Sequence, residues 1–274
     1  MKNQLFILLF SLLAINIFSQ EKLKGNKEVI TQERYVESFN KIVVKSDLKV
    51  MLSQGNTSGV KVETDENLQD VVVTRVNGGQ LEIYLGQKIY SSKKLLIYVT
   101  VADTILTIET RNKSKVLSDT SIKLNQLNVM AFDKSYQKLS FEVNSANIFA
   151  EGGANIESNL NATSFTNIST KQNSSVRINL KTDLLNCVLN NSSLIKPVGN
   201  CKTIYVEAKE NGNFSGKDML SDVAKVTAFD RTDVAINALK TVELSAENNS
   251  EIYIYDNPEV IVKKFTDKAT MFKK

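Results

Sequence analysis

Apolar residues in this chain fall at every second position over short stretches, broken by polar turns. Phe39, Ile42 and Val44, then Leu48, Val50 and Leu52, alternate with Lys41, Lys45, Lys49 and Ser53, as a strand pair with one buried face requires. Ser46-Asp47 interrupts the run and Gln54-Gly55-Asn56 ends it. Val60 and Val62 open a further strand, Asp65-Glu66-Asn67 turns it, and Val71 to Val76 leads into Asn77-Gly78-Gly79. Asn-Gly between β-rich runs signals a hairpin, because both residues tolerate positive φ. Leu81, Ile83 and Leu85 form the returning strand. Residues 37–101 therefore read as an antiparallel β region that caps the C-terminal remainder of the chain. Residues 20–36 are polar and unpatterned, and read as a flexible leader or a loosely attached first strand.

From residue 102 to 256 the pattern becomes a repeat. A polar turn followed by an apolar anchor recurs with anchors at Val116, Tyr136, Ile156, Val176, Leu194, Phe214, Val234 and Ile252, spaced by 20, 20, 20, 18, 20, 20 and 18 residues. Eight residues before each anchor stand Ile108, Asn128, Ile148, Ile168, Asn186, Val206, Val226 and Leu244, apolar in six cases of eight. Six residues before it, none of Thr110, Met130, Ala150, Thr170, Val188, Ala208, Ala228 and Ala246 is charged. Even offsets on an extended segment share a face, so these columns describe strands whose inner sides stack from coil to coil. Helices are excluded, since the segments are rich in Thr, Val and Asn and lack caps followed by a 3.6-residue period. The expected fold is all-β: a right-handed parallel β-helix-like solenoid of about 20-residue coils with an N-terminal antiparallel β cap. A β-sandwich of similar repeats is its rival. Residues 257–274, with Asn257-Pro258, Val260-Ile261-Val262 and a Lys-rich end, are expected to form a C-terminal cap and basic tail.

Composition narrows the chemistry. The chain has no His, which removes every mechanism that needs an imidazole: a Ser-His-Asp triad, a Cys-His pair, an HExxH zinc site. Two Cys cannot build a four-thiolate metal site. A net charge of +4 over 274 residues lacks the basic stripe of a nucleic-acid binder. Asp218, Asp222, Asp230, Asp233 and Glu210 cluster in the later coils; a Ca-dependent polysaccharide lyase or hydrolase could use such carboxylates, but no spacing fixes a catalytic pair. No catalytic, cofactor-binding or metal site is therefore assigned. Cys187 and Cys201, fourteen residues apart, are either a disulfide or two buried thiols. Of 28 asparagines, 21 lie from Asn112 onward. Coil corners need residues that tolerate the left-handed conformation, and stacked Asn side chains can hydrogen-bond along a column; a polar ladder that binds glycan hydroxyls is the functional alternative.

The first nineteen residues read as a signal peptide cleaved after Ser19, with a retained amino-terminal anchor as the alternative: Met1-Lys2, an apolar run from Leu5 to Phe18, and Ser19 before Gln20. That run is shorter than the roughly 20 residues a membrane span needs. No Cys precedes Cys187, so no lipid-modified cysteine is available. The expected protein is exported, to the periplasm, outer surface or medium, with no transmembrane span in the mature chain.

Three stretches carry a family resemblance: Phe39-Asn40-Lys41-Ile42-Val43-Val44, Leu48-Lys49-Val50-Met51-Leu52-Ser53-Gln54-Gly55, and Val60 to Leu68. Together with Gly79-Gln80-Leu81-Glu82-Ile83 and Tyr255-Asp256-Asn257-Pro258-Glu259-Val260, they resemble the putative autotransporter adhesin, head-GIN domain family of Bacteroidota over residues 37–273. The family pattern is richer in Gly at turns, as near Asn112 to Lys115. The resemblance implies an exported β-helical domain and brings no catalytic residues. The function expected is a non-enzymatic envelope or surface protein, adhesin-like or scaffolding, whose partner is an envelope protein or an extracellular glycan. A glycan-binding module is the alternative.

Overall fold

The computed structural model describes residues 23–274; the expected signal peptide lies outside the described residues. The chain is almost entirely β, with coils stacked in parallel register into a solenoid of about nine turns, about 19 residues apart. The parallel pairing rules out the sandwich.

Each coil is fixed by a corner. Two consecutive residues with positive φ recur at Asn112-Lys113, Asp133-Lys134, Gly152-Gly153, Gln172-Asn173, Asn191-Ser192, Glu210-Asn211, Asp230-Arg231, Asn248-Asn249 and Asp267-Lys268, the backbone of a type I′ turn. The turn closes where the Ser114 N–H donates to Arg111 O at 3.1 Å, and likewise from Ser135 to Phe132 and from Gly212 to Lys209, both at 3.0 Å. Neighbouring corners join as well: the Lys113 N–H donates to Asp133 O, Lys134 to Gly152 O, Gly153 to Gln172 O, and so on to Asn249 and Asp267 O. After each turn comes a small inward residue. In four coils it is a Ser whose hydroxyl ties coil to coil: Ser114 Oγ donates to Val44 O at 3.0 Å, Ser135 to Thr110 O at 3.2 Å, Ser174 to Ala150 O at 2.8 Å and Ser193 to Thr170 O at 3.1 Å, whereas the Ser250 hydroxyl has no such partner. The first three of these oxygens accept the N–H of Arg111, Phe132 and Lys171.

The magnitudes show what drives the corner. Two non-Gly residues in the left-handed region cost about 1–2 kcal/mol each, less for Asn and Asp. The turn bond and the corner-to-corner bond return about 1 kcal/mol apiece. The corner alone roughly breaks even, so the burial it permits on both flanking strands decides, at about 1.5–3 kcal/mol per large aliphatic side chain.

One flanking face holds Thr107–Thr110, Gln126–Ala131 and their successors to Glu259–Phe265; the other runs from Lys115–Ser118 to Thr270–Lys273. The inner column of the second face is Val116, Gln137, Ile156, Val176, Ile195, Phe214, Val234 and Ile252. The sequence register is therefore one residue out in two coils, where Tyr136 and Leu194 stand in the outward column. A slip of one position inverts every side chain, and correcting it removes both exceptions from the inner column of the first face. Asn128 and Asn186 turn outward while Val129 and Cys187 join Ile108, Ile148 and Ile168 inside. Gln137 caused the first slip. It is a fully buried polar residue in an apolar column, held where its Nε2 donates to Thr110 Oγ1 and Met130 O.

The N-terminal block is mixed rather than wholly antiparallel. Lys41–Val44 and Lys49–Gln54 form a coil that lies parallel to Thr107–Thr110 and Lys115–Ser118 on one side. On the other it lies parallel to Gln80–Leu85 and Leu95–Val101. Antiparallel strands then cover that end: Val72–Asn77 pairs with Gln80–Leu85 through a hairpin whose turn is Gly78-Gly79, both at positive φ, and Gly59–Asp65 pairs with Leu95–Val101. Of the two readings of residues 20–36, a flexible leader or an attached first strand, Val29–Arg34 follows the second and adds antiparallel to Gly59–Asp65. Asp65 clamps this cap. Fully buried, it accepts the N–H groups of Lys27 at 2.6 Å, Lys93 at 2.8 Å and Lys94 at 3.3 Å. Burial would push its carboxyl up, but the donors from Lys94, Lys27 and Lys93 hold it below the ordinary aspartate value.

Residues 257–274 are not a cap but a further coil. Glu259–Phe265 lies parallel to Asp233–Ala246 and Thr270–Lys273 parallel to Glu251–Tyr255. Val260, Val262 and Met271 continue the inner columns yet are 37%, 49% and 44% exposed, since no further coil covers them among the described residues. No helix among those residues is long and apolar enough to cross a membrane.

Asn173→Val, which places a β-branched residue at the left-handed position of an exposed corner, is expected to cost about 2 kcal/mol in urea unfolding. Asn173→Gly should be near neutral. Asp65→Ala is expected to cost about 3 kcal/mol by stranding three N–H donors. Because the folded carboxyl titrates below the unfolded one, the Asp65 contribution is complete above about pH 4. It is lost as pH falls through the lower folded value, so the difference between wild type and Asp65→Ala should shrink in acid unfolding series.

Candidate functional site

Two asparagine arrays stand on the solenoid, and their hydrogen bonds separate them. In the first, Asn128, Asn147, Asn167 and Asn186 occupy one outward column. Asn147 Nδ2 donates to Asn128 Oδ1 at 2.9 Å, Asn167 to Asn147 at 2.8 Å and Asn186 to Asn167 at 2.7 Å, while Asn128 Nδ2 donates to Leu106 O at 3.2 Å. Every amide in this ladder is engaged by its neighbour, so the column is scaffold.

The second array lies on the other face, in three outward columns two residues apart along the strands. Lys138, Glu157, Arg177 and Lys196 form one wall; Ser140, Asn159, Asn179 and Val198 form the floor; Glu142, Asn161, Lys181 and Asn200 form the other wall. Coils lie about 4.8 Å apart and alternate residues about 6.6 Å apart, so the walls stand about 13 Å from each other. Long side chains beside short ones make a trough, seen as two adjoining hollows of about 530 and 460 Å³ that share Ser140, Asn159 and Asn179. Ser118, whose hydroxyl accepts the Ser140 N–H at 3.0 Å, lines one end.

Within the trough the acids are already paired and most of the cations are not. Glu142 pairs with Lys123 at 3.1 Å. Glu157 lies beside Tyr136, whose phenol is raised by burial and then by that carboxylate. Arg177 Nη1 donates to Ser175 Oγ at 2.9 Å. Among the described residues, Lys138, Lys181 and Lys196 make no ion pair, and Asn161, Asn179 and Asn200 make no side-chain hydrogen bond. The trough is thus a rigid strip with free amide groups and a positive balance, able to hold an elongated polar ligand.

Of the carboxylates singled out from sequence, Glu210 and Asp230 line one hollow at neighbouring corners, and the others stand apart from them. Asp222 pairs with Lys240 at 3.0 Å, Asp230 accepts Asn248 Nδ2 at 2.9 Å, and Glu210 sits at a corner. Asp233 is raised by burial and then by Glu251, beside it in one column. No three His, Cys, Asp or Glu side chains among the described residues stand where they could hold a metal ion. Cys187 and Cys201 are separate buried thiols. Burial pushes both up, with Cys201 also facing Asp222 and reaching about 12. Of the tyrosines, Tyr253 stacks on Phe272 with centroids 5.1 Å apart and its hydroxyl donates to Glu251. The trough columns escaped sequence reading because their members are 19 or 20 residues apart and include no reactive side chain.

With this geometry the chain falls among β-solenoid modules. The family profile described as putative auto-transporter adhesin, head GIN domain, matches residues 38–166 and again 150–258, and the chain belongs to that family. The crystal structure of a putative adhesin from Parabacteroides merdae superposes with TM-score 0.69 at 17% identity, covering 92% of this chain and 99% of that one. One from Parabacteroides distasonis gives 0.65 at 15%, covering 93% and 100%. A putative lipid binding protein from Parabacteroides distasonis gives 0.60 at 18%, again covering 93% and 100%. At these identities the likeness speaks for the fold alone. No curated protein matches the chain.

Asn167→Ala, which breaks two rungs of the ladder, is expected to lower stability by about 1 kcal/mol in urea unfolding. Asn179→Ala on the trough floor should stay within about 0.5 kcal/mol of wild type. Equal losses at both positions would contradict the distinction between the arrays.

Proposed function

We propose that the protein is an exported, non-enzymatic surface adhesin that uses the solenoid as a rigid mount for a ligand-binding face. The trough carries this reading: free amide groups and cations stand on strands that pair in parallel register from coil to coil and so can meet a ligand without first becoming ordered. Family membership supports a surface role. The amino-terminal apolar segment supports export, with cleavage after Ser19. A non-catalytic role agrees with the partners that Asp222 and Asp230 already hold, Lys240 and Asn248.

Fractionation of the native host with protease shaving of intact cells provides the test. The protein is expected on the outer surface or released, and its deletion is expected to reduce attachment of cells to polysaccharide-coated surfaces. Retention in the periplasm, with attachment unchanged on deletion, would refute adhesion.

A further inference from the structure

The adhesin reading leaves the ligand open, and the charge and spacing of the trough narrow it. Four cations line it, Lys138, Arg177, Lys181 and Lys196, against two carboxylates, Glu142 and Glu157. Both carboxylates have partners outside the floor column, Lys123 and Tyr136. An anionic ligand would therefore find cations on both walls and would not have to displace an existing ion pair from Lys138, Lys181 or Lys196. Between the walls, Asn179 and Asn159, whose Nδ2 also donates to Ser140 Oγ at 3.4 Å, offer both donor and acceptor atoms, which suits hydroxyl groups. The repeat of the floor along the axis is one coil, about 4.8 Å, comparable to the length of one sugar residue in an extended chain. Val198 continues the floor column with a side chain 41% exposed, an apolar surface for the C–H face of a sugar ring.

The charged walls are local. Pairing with the next coil is interrupted between Ile195 and Gly199, and the residues after the inward Phe214, Val234 and Ile252 are Ser215, Ala235 and Tyr253, so the charged wall ends at Lys196. Elsewhere on the solenoid, Lys202 pairs with Asp183 at 2.7 Å and Lys240 with Asp222 at 3.0 Å, and such paired lysines offer an anion less than those of the trough.

We infer that this trough binds an acidic polysaccharide, with Lys138, Arg177, Lys196 and Lys181 facing its carboxylate or sulfate groups and Asn159 and Asn179 bonding its hydroxyls. The inference deepens the adhesin reading and rests on it. Arg177 is the residue suited to two-point contact with a carboxylate or sulfate, since its planar guanidinium presents paired donors. The lysines act as point charges along the chain.

The test is binding of protein purified from the native host to immobilised polygalacturonate and chondroitin sulfate. Neutral dextran, phosphatidylglycerol vesicles and single-stranded DNA serve as comparison probes. Binding is expected to at least one acidic glycan and not to dextran, weakening as ionic strength rises. Combined Lys138→Gln, Arg177→Gln and Lys196→Gln should weaken it about tenfold without shifting the urea midpoint. Removing the same charge elsewhere, by Lys88→Gln, Lys217→Gln and Lys263→Gln, should leave it within about twofold. Arg177→Lys should restore only part of the loss. The assignment is overturned if neither acidic glycan binds, if both triple variants lose affinity equally, or if vesicles or DNA bind as tightly as the glycans. Surface location and attachment without acidic-glycan binding would sink the trough assignment alone; trough-dependent binding by a periplasmic protein would uphold it while adhesion fails.

Discussion

The rest of the structure depends on the hydrogen-bonded stack of type I′ corners. Each corner bends the chain between two faces, and its i+2 N–H reaches the next corner's carbonyl, so the coils are held in register at one line along the rod. Register fixed there is inherited by both flanking strands, because parallel pairing lets no residue slip without turning its side chain to the other face. The inward Ser after many of the turns reinforces the line by bonding back to the preceding coil. None of these bonds is strong singly. Their effect is to make the aliphatic columns coincide, and the resulting burial supplies the stability.

A solenoid built this way must manage its ends. At the N-terminal end the chain leaves the coil pattern, crosses as antiparallel strands and is clamped by Asp65, whose three N–H donors come from segments far apart in sequence. The pairing of Lys41–Val44 with both Gln80–Leu85 and Thr107–Thr110 places the 41–54 coil between two later ones. At the other end the inner side chains of the last described coil remain half open. The trough sits between these ends, on coils whose outward columns keep register from Lys138 to Lys196.

The two asparagine arrays show why composition could not separate scaffold from surface. Both consist of Asn on outward columns. Asn128, Asn147, Asn167 and Asn186 bond one another because four successive coils place an amide at the same station. Asn161 and Asn200 stand beside charged neighbours in their column, which leaves their amides free, while Asn179 lies between Asn159 and Val198 and makes no amide–amide bond. The choice depends on register, and register slipped in the sequence reading where Gln137 interrupts an apolar column and where Leu194 and Ile195 are both aliphatic.

What the sequence determined by itself is the coil and its corner. Left-handed turns select Asn, Asp, Gly and small polar residues locally, and alternation along the intervening strands is a property of each strand alone, so the period and the all-β class could be read from residues 102–256 directly. The ninth corner at Asp267-Lys268 repeats the Asp-Lys pair of Asp133-Lys134, yet a basic composition disguised it as a tail. The tertiary structure alone decided which residues meet across coils: the coil order at the N-terminal end, the amide ladder, and the alignment of Lys138, Arg177 and Lys196 along one wall. The physical reason is that such contacts join positions about one coil apart or more, and whether they touch is set by the sum of all corner lengths between them rather than by any local preference.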